Sequence, residues 1–243
     1  MLLNIHTKLH GCTLLAIFAL SFFLALMADS ATTCIAGQAK PPSAVAAIAP
    51  ATTCLTELEI LINNAKDIYE HAKSNKWKHI GNRLHAIKKA EHQSFAAVTN
   101  ENTAGLLAKL VETTASLDEA VSSQHRLEAM IQANRIMIIA AKMMAPFNPQ
   151  IPTNVAVIGY SARKLEILAE SHDIAVMQDI VYRIHLSWQP LIPQVIEHGG
   201  SREIKKFAEI MKRMETAKSS EEYGRQASLV LEEVNNLEQL FSK

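Results

Sequence analysis

The chain predicts an all-α fold: an antiparallel bundle of about eight helices, built as two stacked four-helix units that arose by internal duplication. Three observations predict it. Glycine is scarce, at 8 of 243 residues. Apolar residues recur at spacings of three and four over most of the chain, which is typical of amphipathic helices. Helix-start signals of the Ser-x-x-Glu type occur once in each half, at Ser116 and Ser219.

The N-terminus resembles an export signal. Met1–Gly11 carries one lysine, Lys8, and Cys12–Ala28 is uncharged and mostly apolar. Small residues follow, so we expect residues 1–30 to be a signal peptide cleaved before Ala31. This predicts a periplasmic or secreted protein of the bacterial cell envelope. The same apolar stretch is close to the shortest that spans a bilayer, so retention as a membrane anchor stays open, as does lipidation at Cys34.

Residues 31–55 are expected to form a flexible tether, because Gly37–Thr53 is rich in alanine and proline and has no periodicity. Cys34 and Cys54 flank most of this segment and could pair in an oxidising compartment. The alternative is two tolerated, unpaired cysteines. The chain has 24 basic and 24 acidic residues, so it lacks the net positive charge that attracts nucleic acid.

We expect an N-terminal helical unit at residues 56–145 with helices at about 56–73, 76–98, 103–115 and 117–144. The fourth should begin at the capping box Ser116–Glu119 and be the central helix, because Ile136–Met144 has one charge. Pro146, Pro149 and Pro152 should end it.

The C-terminal unit, residues 153–243, is expected to form one compact domain with the first. Its helices should run at about 154–170 with Thr153 as N-cap, from Asp173 to Gly199 with a kink at Pro190 and Pro193, after Ser201, and from Ser219.

The two units resemble one another. Ala65 and Ala72 match Ala162 and Ala169, and similar matches recur at offsets of about 100 residues. Arg83-Leu-His85 and Arg183-Ile-His185 lie at the same offset. If duplication places them at equivalent positions, the four side chains Arg83, His85, Arg183 and His185 could together hold an anionic ligand. Coincidence between two short tripeptides is the alternative.

No cofactor and no catalytic residue is expected. The eight histidines that follow the expected signal peptide lack the i, i+3 or i+4 spacing of helical metal pairs, and neither a Glu-x-x-His nor a Cys-x-x-Cys-His motif occurs. Tyr160, Arg163 and Glu166 should form a polar seam on one helix. We therefore expect an exported, non-catalytic bundle that binds a partner protein or small ligand, with membrane contact only through a retained leader.

The alternative function is a metal or haem carrier. Methionine thioethers suit Cu(I), and two groups of them occur: Met137, Met143 and Met144 cluster on one predicted helix, and Met211 and Met214 share a helix face. Methionine also fills helical cores without binding metal, and the sequence favours that role.

One further resemblance covers Ile151 to Phe241. This part of the chain resembles exported bacterial helical proteins of unassigned function. The segments that carry the resemblance are Ile151–Ala156, Arg163–Ile167, Trp188–Leu191, Gly199-Gly200 and Val234–Phe241. The resemblance implies an exported all-helical domain and adds no activity.

Overall fold

The predicted all-α fold is confirmed. The computed structural model describes residues 45–94, 101–170 and 173–243, which contain helices and connections and no strand. The helices are α1 (Val45–Lys73), α2 (Ile80–Ser94), α3 (Glu101–Ser122), α4 (Arg126–Met144), α5 (Thr153–Leu168), α6 (Ile174–Trp188), α7 (Ile192–Glu197), α8 (Ser201–Thr216) and α9 (Ser220–Phe241). The predicted leader lies outside these residues, and none of the described helices is long and apolar enough to cross a membrane.

The N-terminal set, α1–α4, surrounds one apolar core. Helix α1 packs against α2 and α4, and α3 packs against α4. Fully buried side chains from all four helices meet there, including Leu61, Ile87, Leu110 and Ile136. Twelve residues of α4 are buried, as its nearly continuous apolar sequence predicts.

The C-terminal set, α5–α9, has a second core and a similar order of packing. Helix α5 packs against α6 and α9, and α8 packs against α9. Trp188 stacks on Phe207 with ring centroids 4.0 Å apart in this core. Helix α4 also packs against α5 and joins the two sets. In each set the first long helix therefore contacts the second and the last, which is the arrangement expected of a duplicated unit; the duplication itself stays a prediction.

Several predicted helix ends are confirmed. The Ser219 hydroxyl accepts a hydrogen bond from the Glu222 backbone N–H, and the Asp173 carboxylate accepts one from Val176. At the end of α7, Gly199 has φ 78°, and the Gly200 N–H donates to the Val195 carbonyl. This is the left-handed ending in which glycine is favoured.

The N-terminal helices differ from prediction in two places. Helix α1 begins at Val45, inside the segment 31–55 expected to be a tether, because its alanines are strong helix formers. Helix α3 runs through Ser116, whose hydroxyl donates back to the Glu112 carbonyl, so the capping box predicted there is wrong. The chain turns instead at Gln124, with φ 51°, where the His125 N–H closes onto the Ala120 carbonyl.

At the start of α5, Thr153 is the first helical residue, and the N-cap is Pro152. The predicted Thr153 cap is therefore wrong by one residue.

Candidate functional site

A pocket of about 310 Å³ lies between the two helical sets, and we call it the inter-set pocket. Its apolar wall consists of Ile62 (α1), Ala141 and Met144 (α4), Ile151 and Pro152 (the α4–α5 connection) and Ala156 (α5). After α4 the chain forms one short 3₁₀ helix, Ala145–Phe147, which contains Pro146, and residues 148–152, which contain Pro149 and Pro152, then connect it to α5 along the edge of the pocket. Apolar pockets between bundle helices are a common form of small-ligand site.

The polar side of the inter-set pocket includes the ion pair of Lys66 and Glu238. The other polar residues that line the pocket are Glu59, Asn63, Gln150, Thr153 and Ser242. The Lys66 ammonium donates to Asn235 Oδ1 at 2.7 Å and lies 3.4 Å from Glu238 Oε2. Both side chains are about one-third exposed, at 33% and 38%. An ion pair this exposed contributes little to stability, so both groups remain able to bind a polar ligand atom.

A polar cluster links α1, α5 and α9, and we call it the Tyr69 cluster: Tyr69, Lys73, Arg163, Glu166 and Ser228. Tyr69 and Arg163 are buried, whereas Lys73 and Ser228 are exposed. The Tyr69 hydroxyl donates to Glu166 Oε2 at 2.9 Å and lies 3.3 Å from the Arg163 carbonyl oxygen. Glu166 Oε1 accepts from Lys73 at 2.9 Å and from Ser228 at 2.7 Å. The Glu166 carboxylate is therefore satisfied by donors from two other helices, as a buried charge requires.

The Arg163 guanidinium is buried beside this cluster. Its side chain lies over the Tyr69 ring at 5.6 Å from the centroid, and its Nε is buried without a hydrogen-bond partner. Gly159 leaves the space that the guanidinium fills, because a Cβ there would lie 3.2 Å from Arg163 Nη1. Burial lowers the pKa of Arg163, although a guanidinium stays charged in proteins. Burial, and then the Glu166 carboxylate, raise the pKa of Tyr69.

A second cavity, of about 410 Å³, opens among α6, α8 and α9, and we call it the α6–α8 groove. Its floor is buried and apolar: Val181, Met211, Met214 and Tyr223. Its rim carries Gln178, Tyr182, His185 and Glu215, and Tyr182 is 61% exposed. The groove follows from the loose contact between α6 and α8, since both pack mainly against other helices.

The four predicted ligand residues divide between the two sets. Arg83 pairs with Asp67 of α1 at 3.0 Å, and Arg183 pairs with Asp179 one turn back on α6 at 2.8 Å. No hydrogen bond or ion pair within the described residues joins one tripeptide to the other. His85 is exposed on α2, whereas His185 lines the α6–α8 groove and lies 3.1 Å from Gln189.

The structure also places the methionines and the cysteine that the sequence analysis considered. Met137 and Met143 are buried in the N-terminal core, while Met211 and Met214 share the groove floor. Among the described residues, no three histidine, cysteine, aspartate or glutamate side chains are grouped to hold a metal ion. Cys54 is a buried free thiol, and Cys34, the cysteine with which the sequence left pairing open, lies outside the described residues.

The sequence did not reveal the partner of the polar seam on α5. Arg163 and Glu166 face Tyr69 of α1, whereas Tyr160 accepts a hydrogen bond from Asn134 of α4 through its carbonyl. Two features of the sequence indicate this contact. Tyr69 lies beside the apolar stripe of α1, and the mid-helix glycine Gly159 lies one turn before Arg163.

Comparison with protein-family models, with curated proteins and with solved structures gives no match to this chain. What the sites can do therefore follows from their own chemistry. The inter-set pocket combines an apolar wall with one ammonium group, that of Lys66, and two carboxylates, those of Glu59 and Glu238, which suits the binding of an amphipathic molecule.

Proposed function

We propose that this chain is an exported, non-catalytic binding protein of the cell envelope that takes a small amphipathic ligand in the inter-set pocket. The observation that carries the proposal is the pocket itself: about 310 Å³ between the helical sets, with an apolar wall and the Lys66–Glu238 pair on one side. The volume lies at the lower end of the range for small-molecule sites.

The lining of the pocket defines the ligand. Seven apolar side chains, those of the wall named above and Pro149, would cover a hydrocarbon or aromatic body, and burial contributes about 25 cal/mol for each Å² removed from water. The Lys66 ammonium and the Glu238 carboxylate would fix a polar end. Because this pair is partly exposed and 3.4 Å apart, a ligand group can enter it at small cost.

Export is part of the same proposal. It is supported by the uncharged run Cys12–Ala28 after Lys8 and by the small residues that follow. The resemblance of Ile151–Phe241 to exported helical proteins agrees with it. N-terminal sequencing of the protein from its own cells should give Ala31 as the first residue in the envelope fraction. An intact Met1 terminus in the cytosol would refute export.

Ligand binding is tested with the neutral apolar dye N-phenyl-1-naphthylamine, whose fluorescence rises in a dry site. We expect one saturable dye site in the wild type. Ala156→Phe fills the pocket from its half-buried wall and should weaken dye binding at least about tenfold, equivalent to about 1.4 kcal/mol. Ala208→Phe makes the same change at an exposed position of α8 and should bind like the wild type.

The dye experiment has a clear opposite outcome. Equal dye affinity in Ala156→Phe and wild type, with both variants folded by circular dichroism, would remove the inter-set pocket as the ligand site. Dye lost instead on Gln178→Trp, which fills the α6–α8 groove, would move the site there.

A metal carrier is the second candidate function, and one observation favours it: His185, Met211 and Met214 line the same groove. Thioether and imidazole ligands suit Cu(I). Anaerobic titration with Cu(I) and a competing chelator should then show one site that Met214→Leu weakens. Met143→Leu makes the same substitution in the other core and should have no effect on Cu(I) binding. A protein that binds no stoichiometric Cu(I) and also shows no haem in its visible spectrum would exclude this candidate.

A further inference from the structure

A third cavity, of about 250 Å³, lies between α8 and α9, and we call it the α8–α9 pocket. Its apolar part is Ile210 and Leu229, and its charged lining includes Lys206, Arg213 and Glu233. It is separate from the inter-set pocket, with which it shares no lining residue.

Glu233 is the unusual member of this lining. The residue is 2% exposed, although it carries a carboxylate. Its Oε2 accepts from Asn236 Nδ2 at 2.9 Å, and the Lys206 ammonium lies 3.9 Å away, beyond hydrogen-bond distance. Its Oε1 is buried and has no hydrogen-bond partner. Half of a buried carboxylate is therefore without a donor.

A donor at this oxygen would remove a large cost. A buried acceptor that is left unpaired destabilises the fold, and it does so more strongly when it is charged. None of the described residues supplies the donor: the Lys206 ammonium is 3.9 Å from the other oxygen, and the Arg213 guanidinium is 3.9 Å from Glu209. Three carboxylates, with Glu232 the third, line the pocket beside two basic groups.

The missing donor has a defined chemistry. A hydrogen bond from an ammonium group to a carboxylate is roughly twice as strong as one between neutral groups, because both partners are charged. The described residues offer no three-residue metal cluster, so an organic cation suits the lining better than a metal ion. Ile210 and Leu229 would contact a short hydrocarbon chain attached to the ammonium.

We propose that the α8–α9 pocket binds a small primary amine, whose ammonium donates to the Glu233 carboxylate while its alkyl chain lies against Ile210 and Leu229. Lys206 competes for the same carboxylate, so the affinity is set by how readily its side chain moves aside. Lys206 is 47% exposed and can do so without leaving water.

The test is a titration of the folded protein with n-butylammonium, followed by amide chemical shifts in two-dimensional NMR. We expect saturable shifts around Glu233 and Asn236. Butanol, which has the same hydrocarbon chain and no charge, should bind at least about tenfold more weakly. Glu233→Gln should lose at least about tenfold in amine affinity, whereas Glu232→Gln, the exposed neighbour, should change it less than about threefold.

Lys206→Met provides an independent arm that keeps Glu233 intact. Removal of the competing ammonium should raise the affinity for butylammonium several-fold. An unchanged or lower affinity in Lys206→Met would overturn the proposal, as would equal binding of butanol and butylammonium, wild-type affinity in a folded Glu233→Gln, or no saturable shift at all. If Glu233→Gln does not fold, the Lys206→Met result decides.

Discussion

Replacing Tyr69 by phenylalanine tests the buried contact between the two helical sets. The substitution deletes one hydroxyl from a side chain with no exposed surface and leaves the ring in place. The lost hydrogen bond is 2.9 Å long and ends on the Glu166 carboxylate, which is 7% exposed. Hydrogen bonds to charged groups contribute about 1.5–3 kcal/mol.

The expected loss for Tyr69→Phe is therefore about 2 kcal/mol in the free energy of unfolding. For a chain of this size it lowers Tm by about 4–8 °C. Urea unfolding followed by circular dichroism measures the loss at neutral pH. Tyr182→Phe removes the same atom from a residue that is 61% exposed and should change stability by less than about 0.5 kcal/mol.

The pH dependence of this variant supplies a second readout. The pKa of Tyr69 is raised above its ordinary value of 10.0, first by burial and then by Glu166. Its contribution is thus complete below pH 10 and is lost as the pH rises from there toward the higher folded-state pKa. The stability difference between wild type and Tyr69→Phe should therefore shrink above pH 10.

Two results would refute this reasoning. One is a Tyr69→Phe variant within about 0.5 kcal/mol of the wild type at neutral pH. The other is a double-mutant cycle of Tyr69→Phe with Glu166→Gln that gives no coupling energy, since side chains in contact normally couple by at least about 0.5 kcal/mol.

Two further predictions concern glycine positions and acid stability. Gly200→Ala should destabilise the fold by about 1–3 kcal/mol in urea unfolding, because its Cβ would lie 2.5 and 2.6 Å from two side-chain carbons. Gly105→Ala, which has open space around it on α3, should instead stabilise the fold by about 0.5–1 kcal/mol. Equal effects of the two substitutions would refute the steric reason. Burial alone would raise the pKa of Glu203, but hydrogen bonds from its backbone N–H and from Arg202 outweigh burial and hold that pKa below 4.5. Its contribution is therefore present above pH 4.5 and lost as the pH falls through the lower folded-state pKa, so Glu203→Gln should lose less stability than wild type between pH 7 and pH 3. An identical acid profile would contradict this.

The helices could be predicted from the sequence because their signals are local. The apolar stripe of α4 and the Ser219 cap are visible within a few residues, and both are confirmed. The helix start that was wrongly predicted at Ser116 shows where such local signals fail. A Ser-x-x-Glu spacing is also compatible with a helix interior, where the hydroxyl donates back to the preceding turn. The true break at Gln124 carries no glycine to mark it.

The candidate sites could be predicted only in part, because they depend on contacts between distant segments. The seam of Arg163 and Glu166 was visible, but its partner Tyr69 lies about 95 residues earlier in the chain. The repeated tripeptides suggested a shared site, yet Arg83 pairs within its own helical set. Single-sequence patterns do not specify which helix faces meet, and that choice creates the inter-set pocket.

Native mass spectrometry of the protein purified from its own envelope tests the proposed binding function most directly. The wild type and Ala208→Phe should each begin at Ala31 and retain one small amphipathic molecule per chain, and Ala156→Phe should retain none. A ligand-free wild type, or an Ala156→Phe variant that keeps the same molecule, would contradict binding in the inter-set pocket.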